Sequence, residues 1–355
     1  MTNYIIRRLL LLPLLLVGVT LLIFAMLQFL TPIERAALYV RDIPKTAGAM
    51  QGIVRRYGLN DPLPVQYWRW LVGRIDPVTG QRVGGILRGD FGYSRVGAQP
   101  VIELIKGRFP ATLELALWSV FPIIGVGLWL GVKAAVNHNG IFDQAARIFS
   151  IVGASFPTFV FGLLVLMIFY ANLRWFPPGR LSDWAMRLVN NPAAFRQYTH
   201  LMTIDGLLNG RFDVTLDALR HLILPVLTLS YINWATFLRV TRSSMLETLR
   251  QEYVTTARAK GLPESDVINK HARPNALIPV ATLAGFQVVG LLGGVVITET
   301  VFNYPGIGSA AAAAAQNLDV VTTLGFALFN GFVLIVANLI VDVLYAVIDP
   351  RVRLA

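Results

Sequence analysis

A chain of 355 residues with 55% hydrophobic and only 14% charged side chains cannot hide its apolar groups in one soluble core, because soluble chains carry about a quarter charged residues. The lack of cysteine excludes disulfides and thiolate metal sites, and four scattered histidines (His138, His200, His221 and His271) leave little material for a metal cluster. The net charge of +11 lies between apolar runs, where anionic lipid headgroups and membrane topology account for it better than a nucleic-acid partner does.

Six runs approach the roughly 20 apolar residues that a membrane-crossing helix needs: 9–30, 111–136, 148–173, 222–240, 279–301 and 320–348. They must be helices, because lipid offers no partner to backbone N–H and C=O groups. The predicted fold is therefore an all-α integral membrane protein with six transmembrane helices. The first run follows Arg7 and Arg8 like a signal peptide but is longer than the 7–15-residue core of one, and no small-x-small cleavage site follows it. It is read as retained.

The connections differ in kind. Residues 31–110 and 174–221 are long and polar, 137–147 and 302–319 are shorter, and 241–275 is polar yet rich in helix formers. With the N-terminus inside, thirteen Lys and Arg lie inside and six outside once the long 31–110 loop is set aside; loops beyond about 60 residues cross regardless of charge. That asymmetry predicts both termini in the cytoplasm, 31–110 and 174–221 external, and 241–275 cytoplasmic.

Polar residues inside spans are costly and face a bundle or a pathway. Gln28, Asn233, Gln287, Asn330 and Asn338 are such residues; helix packing is the commoner reason for any one of them, and a pathway is the alternative. The pairs Gly127/Gly131 and Gly290/Gly294 fit the small-xxx-small pattern of closely packed membrane helices.

In the 241–275 connection, good helix formers run from Ser244 to Lys260. Gly261 can take positive φ and end a helix, Pro263 suits the first turn of another, and Glu264 and Asp266 favour its positive end. Two short helices joined by a sharp turn are expected. On the residues alone, two readings stay open: a solvated connector, or a helix that docks in a groove of a soluble partner, with Ala257, Ala259 and Gly261 allowing close approach.

The stretch EYVTTARAKG (252–261), followed by LPESDVINKHARPNALIPV (262–280), closely resembles the coupling loop of binding-protein-dependent ABC importer permeases, most of all the dipeptide, oligopeptide and nickel branch. The general form of that loop has Glu-Ala-Ala before the Gly; here Thr255, Thr256 and Ala257 stand there, as the peptide branch has it. YGLNDPLPVQYWRW (57–70), GDFGYS (89–94), RFPATLELAL (108–117), ALRHLILPVLTLS (218–230), ETVFNYPGIG (299–308) and DVLYAVIDPR (342–351) resemble the same branch in the same order. Two departures stand out: Thr31-Pro32-Ile33-Glu34 replaces the Pro-Gly-Asp-Pro turn usual after the first span, and RIDPVTGQRVGGI (74–86) looks like additional loop sequence.

The resemblance implies the ABC importer permease fold in the inner (cytoplasmic) membrane. It implies a second homologous permease, two cytoplasmic ATPase subunits that bind ATP and magnesium, and an external substrate-binding protein. The coupling loop would use Glu252, Tyr253, Ala257, Arg258, Ala259, Lys260, Gly261, Leu262, Pro263, Glu264, Ser265 and Asp266. The favoured cargo is a peptide, with nickel or oligosaccharide as alternatives in the same branch. No Gly-rich loop ending in Lys-Ser/Thr is present, so no nucleotide site is expected on this chain, and no nucleophile motif, cofactor site or catalytic residue is read. A stand-alone secondary transporter or channel is the rival class; it would need charges in mid-span, which are scarce.

Overall fold

The computed structural model describes residues 2–40, 47–75 and 80–348. The first apolar run forms helix α1 (Thr2–Leu27), which carries Pro13 inside it. Directly after it, the Thr31 side chain accepts from the Glu34 N–H while the Glu34 carboxylate accepts from the Thr31 N–H. This reciprocal capping box starts α2 (Pro32–Ala37), so the Thr-Pro-Ile-Glu departure is a helix start. Then follow α3 (Ala47–Tyr57), α4 (Leu63–Val72), the hairpin of β1 (Arg74–Ile75) with β2 (Arg82–Val83), and the hairpin of β3 (Tyr93–Ser94) with β4 (Gln99–Pro100). The described part of the 31–110 connection, read as a polar loop, is thus largely regular secondary structure.

Helix α5 (Val101–Val136) keeps Pro110 and Pro122 inside it, which membrane helices tolerate where neighbours take up the freed carbonyls. The helix is also tied to a later one, whose Trp234 indole donates to the Pro122 carbonyl at 2.7 Å. After α6 (Ile141–Ser155), Pro157 breaks the chain. It resumes as α7 (Thr158–Val165), which continues through a wide π turn to Asn172. The 174–221 connection holds α8 (Asp183–Val189) and α9 (Met202–Leu208), closed over Leu181, Ala185, Val189, Phe195 and Met202.

Helix α10 (Phe212–Thr248) exceeds the 222–240 run at both ends. It is followed by α11 (Glu252–Ala259), α12 (Glu264–Asp266), a π turn over Val267–Ala272, α13 (Arg273–Ala276), α14 (Ile278–Leu292), α15 (Val296–Val301), α16 (Ile307–Gln316) and α17 (Val320–Ile348). Among the described residues, four helices are long and apolar enough to cross a membrane: Ile6–Leu27, Val101–Val136, Phe212–Thr248 and Val320–Tyr345. Two bent pairs pass the same test together, Ile141–Ser155 with Thr158–Asn172 at 103° and Glu264–Ala276 with Ile278–Leu292 at 51°. Four to six spans result by length and composition; one bend falls inside the third expected run, and the other lies at Leu277, just ahead of the fifth. In the fifth, helix α14 stops at Leu292 because Gly294 takes φ +95°.

Two compact units emerge, one from residues 2–109 with 307–339, the other from 110–306 with 340–348. In the first, Val101, Ile105, Ile307 and Phe326 form a core, and buried Asp319 ties the β3–β4 hairpin to α17. Its carboxylate accepts from the Ser94 hydroxyl, from the Arg95 and Val96 N–H groups, and from Thr322. The second unit packs on α5 and α10 through Ala111, Leu115, Ile123, Leu222, Leu229 and Phe237, joined by Val280, Leu291 and Tyr304. Gly127 and Gly131 make that crossing close: a methyl group on them would fall 2.5 Å from the Phe237 Cβ and 2.4 Å from the Thr241 Cβ. Around Gly290 there is open space instead, so the second small-xxx-small pair is no seam within the described chain.

Candidate coupling site

Propensity alone would carry one helix from Ser244 to Lys260, but α10 stops at Thr248 and the chain turns through Leu249–Gln251. Packing is the reason. The turn lets Val254 and Ala257 of α11 join Met245, Ala135, Val267, Ala272 and Ala276 in a closed apolar cluster, and burial of this kind outweighs the few tenths of a kcal/mol per residue in helix propensity. Ser244 adds a hydrogen bond across the base, its hydroxyl donating to the Ala276 carbonyl at 2.8 Å.

The end of α11 has a complete Schellman pattern. The Leu262 N–H reaches back to the Ala257 carbonyl (3.4 Å) and the Gly261 N–H to the Arg258 carbonyl (2.9 Å), with Gly261 at φ +76°, a value glycine takes without a Cβ penalty. Pro263 sits just ahead of α12 as its cap and not inside its first turn. The second helix is not short: it runs on through the π turn and α13, an irregularity that often accompanies function.

Arg258 locks the turn. Its Nε and Nη2 donate to the two carboxylate oxygens of Glu264 at 3.1 and 2.7 Å, and its Nη1 reaches the Leu249 carbonyl at 3.4 Å. The hydrogen bond to Glu264 raises the Arg258 guanidinium above its already high ordinary value. Lys270 pairs with Asp266 at 2.9 Å. The outer face carries Glu252, Tyr253, Lys260, Gly261, Leu262, Pro263 and Ser265, all exposed, with Ala259 beside them. Tyr253 and Leu262 are 43% and 38% exposed. The segment therefore holds its own shape, buries one face and leaves a mixed apolar and charged face uncovered.

The polar residues of the spans are not brought into one site. Gln28 lies just past α1, where its Oε1 accepts from Arg35. Asn233 and Asn338 donate to carbonyls one turn back in their own helices, those of Leu229 and Leu334. Gln287 and Asn330 are half-buried on α14 and α17.

A charged cluster that the sequence reading passed over lies in the second unit. Glu114, buried on α5, accepts from Arg180 at 3.0 and 2.7 Å, from the Thr203 N–H and hydroxyl at 2.7 and 2.9 Å, and from Tyr304 at 3.4 Å. Nearby in sequence, Thr112 donates to buried Glu299 at 2.8 Å, and a methyl group on Gly306 would fall 2.3 Å from that carboxyl. The signal was in the sequence: a carboxylate inside an apolar span demands a partner, and Glu114 sits in the middle of ATLELAL.

The family model for the binding-protein-dependent transport system inner membrane component matches residues 123–354, and the model for the N-terminal part of such membrane components matches residues 1–116. The probable D,D-dipeptide transport system permease protein DdpB of Escherichia coli K12 is 38% identical over 94% of this chain and 93% of its own length. The oligopeptide transport system permease protein AppB of Bacillus subtilis is 35% identical over 99% of this chain and all of its own length. The dipeptide transport system permease protein DppB of E. coli K12 is 36% identical over 99% of both chains. With family models over both halves and relatives along its whole length, this chain belongs to the inner membrane components of binding-protein-dependent transport systems.

Proposed function

We propose that the chain is the transmembrane permease subunit of an ABC importer for short peptides, driven by ATP hydrolysis on separate subunits. The observation that carries this reading is the 252–266 segment: a rigid helix and turn with its inner face sealed and its outer face uncovered. A mere connector gains nothing from a Schellman turn, a bidentate ion pair and a packed base. The peptide cargo is supported by the names of relatives that align over nearly the full chain.

In this reading both termini and the 241–275 segment are cytoplasmic, 31–110 and 174–221 face outward, and up to six spans cross the membrane. A second, homologous permease completes the pathway, two ATPases carrying ATP and magnesium grip the coupling helices, and an external binding protein delivers the cargo. Each nucleotide state of the ATPases must bind one permease conformation better than the other to drive the switch. Reconstitution tests this. Co-expressed permeases and ATPases in vesicles should take up a labelled dipeptide only with ATP and the binding protein, and uptake by this chain without any ATPase would establish the rival secondary transporter.

A further inference from the structure

The 31–110 connection builds a cavity of about 370 Å³ inside the first unit, within the size range of small-ligand sites. Its floor is apolar, with Phe24 and Leu27 from α1 and Leu324 and Leu328 from α17. On the wall the Tyr39 and Tyr57 rings lie 4.2 Å apart.

Of the charges lining it, Arg69 is paired with Asp61, but Arg35, Arg74 and Asp90 are unmatched among the described residues. Arg35 is only 8% exposed, yet its partners are all neutral: Nη1 donates to Gln28 and Gln66, Nη2 to the Leu59 carbonyl, and Nε has no partner. A buried cation without a counter-charge is costly, and the cost falls when an anion arrives. Arg74 lies 4.0 Å over the Tyr57 ring and donates to the Arg56 carbonyl, again neutral partners. Asp90 accepts the Gly92 N–H at 3.0 Å and forms no ion pair among the described residues. Arg35, Arg74 and Asp90 all line this one cavity, with Tyr39 among them.

From the stretch that departs from the family pattern, Arg74 and residues 83–86 supply part of this wall. Its β1–β2 hairpin closes where Gly73 (φ +92°) meets Gly84 and Gly85; a methyl group on Gly73 would fall 2.4 Å from the Gly84 carbonyl oxygen. That approach sets Arg74 and the 83–86 backbone against the cavity.

We propose that this cavity binds a small zwitterion with an apolar body. Its carboxylate or phosphate meets Arg35 and Arg74, its ammonium meets Asp90, and its apolar part lies on the α1 and α17 floor. Two sources share that chemistry, a short peptide with free termini and a zwitterionic lipid, and the experiment separates them. The inference goes beyond the transport reading and does not need it.

The test uses the full chain with its partner permease and ATPases in detergent, without the binding protein, and isothermal titration with leucyl-leucine or lysophosphatidylethanolamine. Asp90→Asn should weaken leucyl-leucine about tenfold and leave N-acetyl-leucyl-leucine unchanged. Arg74→Gln should weaken leucyl-leucine similarly and leave leucyl-leucine amide unchanged. In the lipid arm, Asp90→Asn should weaken lysophosphatidylethanolamine but not lysophosphatidylglycerol. A charge-matched pattern in either arm supports the site and identifies its source, and misfolding cannot produce it. No saturable binding in either arm overturns the site, as does equal weakening of every probe by both substitutions. ATP-driven dipeptide uptake is scored separately: uptake with no binding overturns this site and leaves the transport reading standing, whereas charge-matched binding without uptake supports the site alone.

Discussion

Among the described residues, buried carboxylates such as Glu114 and Asp319 are each met by several donors. Arg180 remains charged: burial is the largest single influence and works against its guanidinium, but the charges and hydrogen bonds of Glu114 and Tyr304 together outweigh it and raise the pKa above the ordinary value. Removing one partner of such a pair strands the other, which typically costs about 3–5 kcal/mol. Arg180→Met should therefore lower the melting temperature sharply in detergent, and the double variant with Glu114→Gln should recover part of the loss. Asp319 behaves differently. Burial pushes its pKa up, but hydrogen bonds from Thr322, Val96 and Ser94 prevail and hold it below the ordinary carboxylate value. A depressed folded pKa gives stability that is present above the unfolded value, about 3.9, and lost as pH falls through the folded one. Asp319→Asn should start less stable by about 1–3 kcal/mol at neutral pH and lack this part of the acid loss, read as melting temperature between pH 7 and pH 3.

At the scale of elements, two glycines test two different demands. Gly261 has open space where a Cβ would stand, so a substitution meets only the backbone penalty of φ +76°, on the order of 1–2 kcal/mol for a β-branched residue. Gly261→Val should leave insertion and expression intact yet weaken ATPase attachment or uncouple hydrolysis from uptake in vesicles; wild-type coupling would return the segment to a plain connector. Gly131 is the reverse case, a regular helical position with Thr241 and Leu238 pressed against it. Overpacking there should cost about 1–3 kcal/mol for Gly131→Val, seen as reduced thermal stability, whereas Gly290→Val, facing open space, should stay within about 0.5 kcal/mol.

The whole chain offers a clean topological test because it has no cysteine. Gln81 and Asn269 are both exposed, and single cysteines there should react with a membrane-impermeant maleimide from opposite faces of the membrane. Labelling of both from outside would refute the proposed orientation, which rests on the asymmetry of basic residues in the short connections.

Composition and apolar runs alone determined that this is a helical membrane protein, because lipid admits little else, and the Gly-Leu-Pro punctuation after Lys260 marked the turn at Gly261. Local sequence could not reveal the break after Thr248. α10 ends at Thr248 because Val254 and Ala257 have a core to reach, whereas the break at Pro157 and the end of α14 at Gly294 carry local signals whose angle the sequence does not set. The partners of Glu114 lie 66, 89 and 190 positions away, beyond any periodicity. The 31–110 connection read as polar loop because its capping box, short helices and two-residue strands each carry too little apolar pattern to stand out. Only the folded chain gathers Arg35, Arg74 and Asp90 around one space, since electrostatic partnership depends on distance through space and not on spacing along the chain.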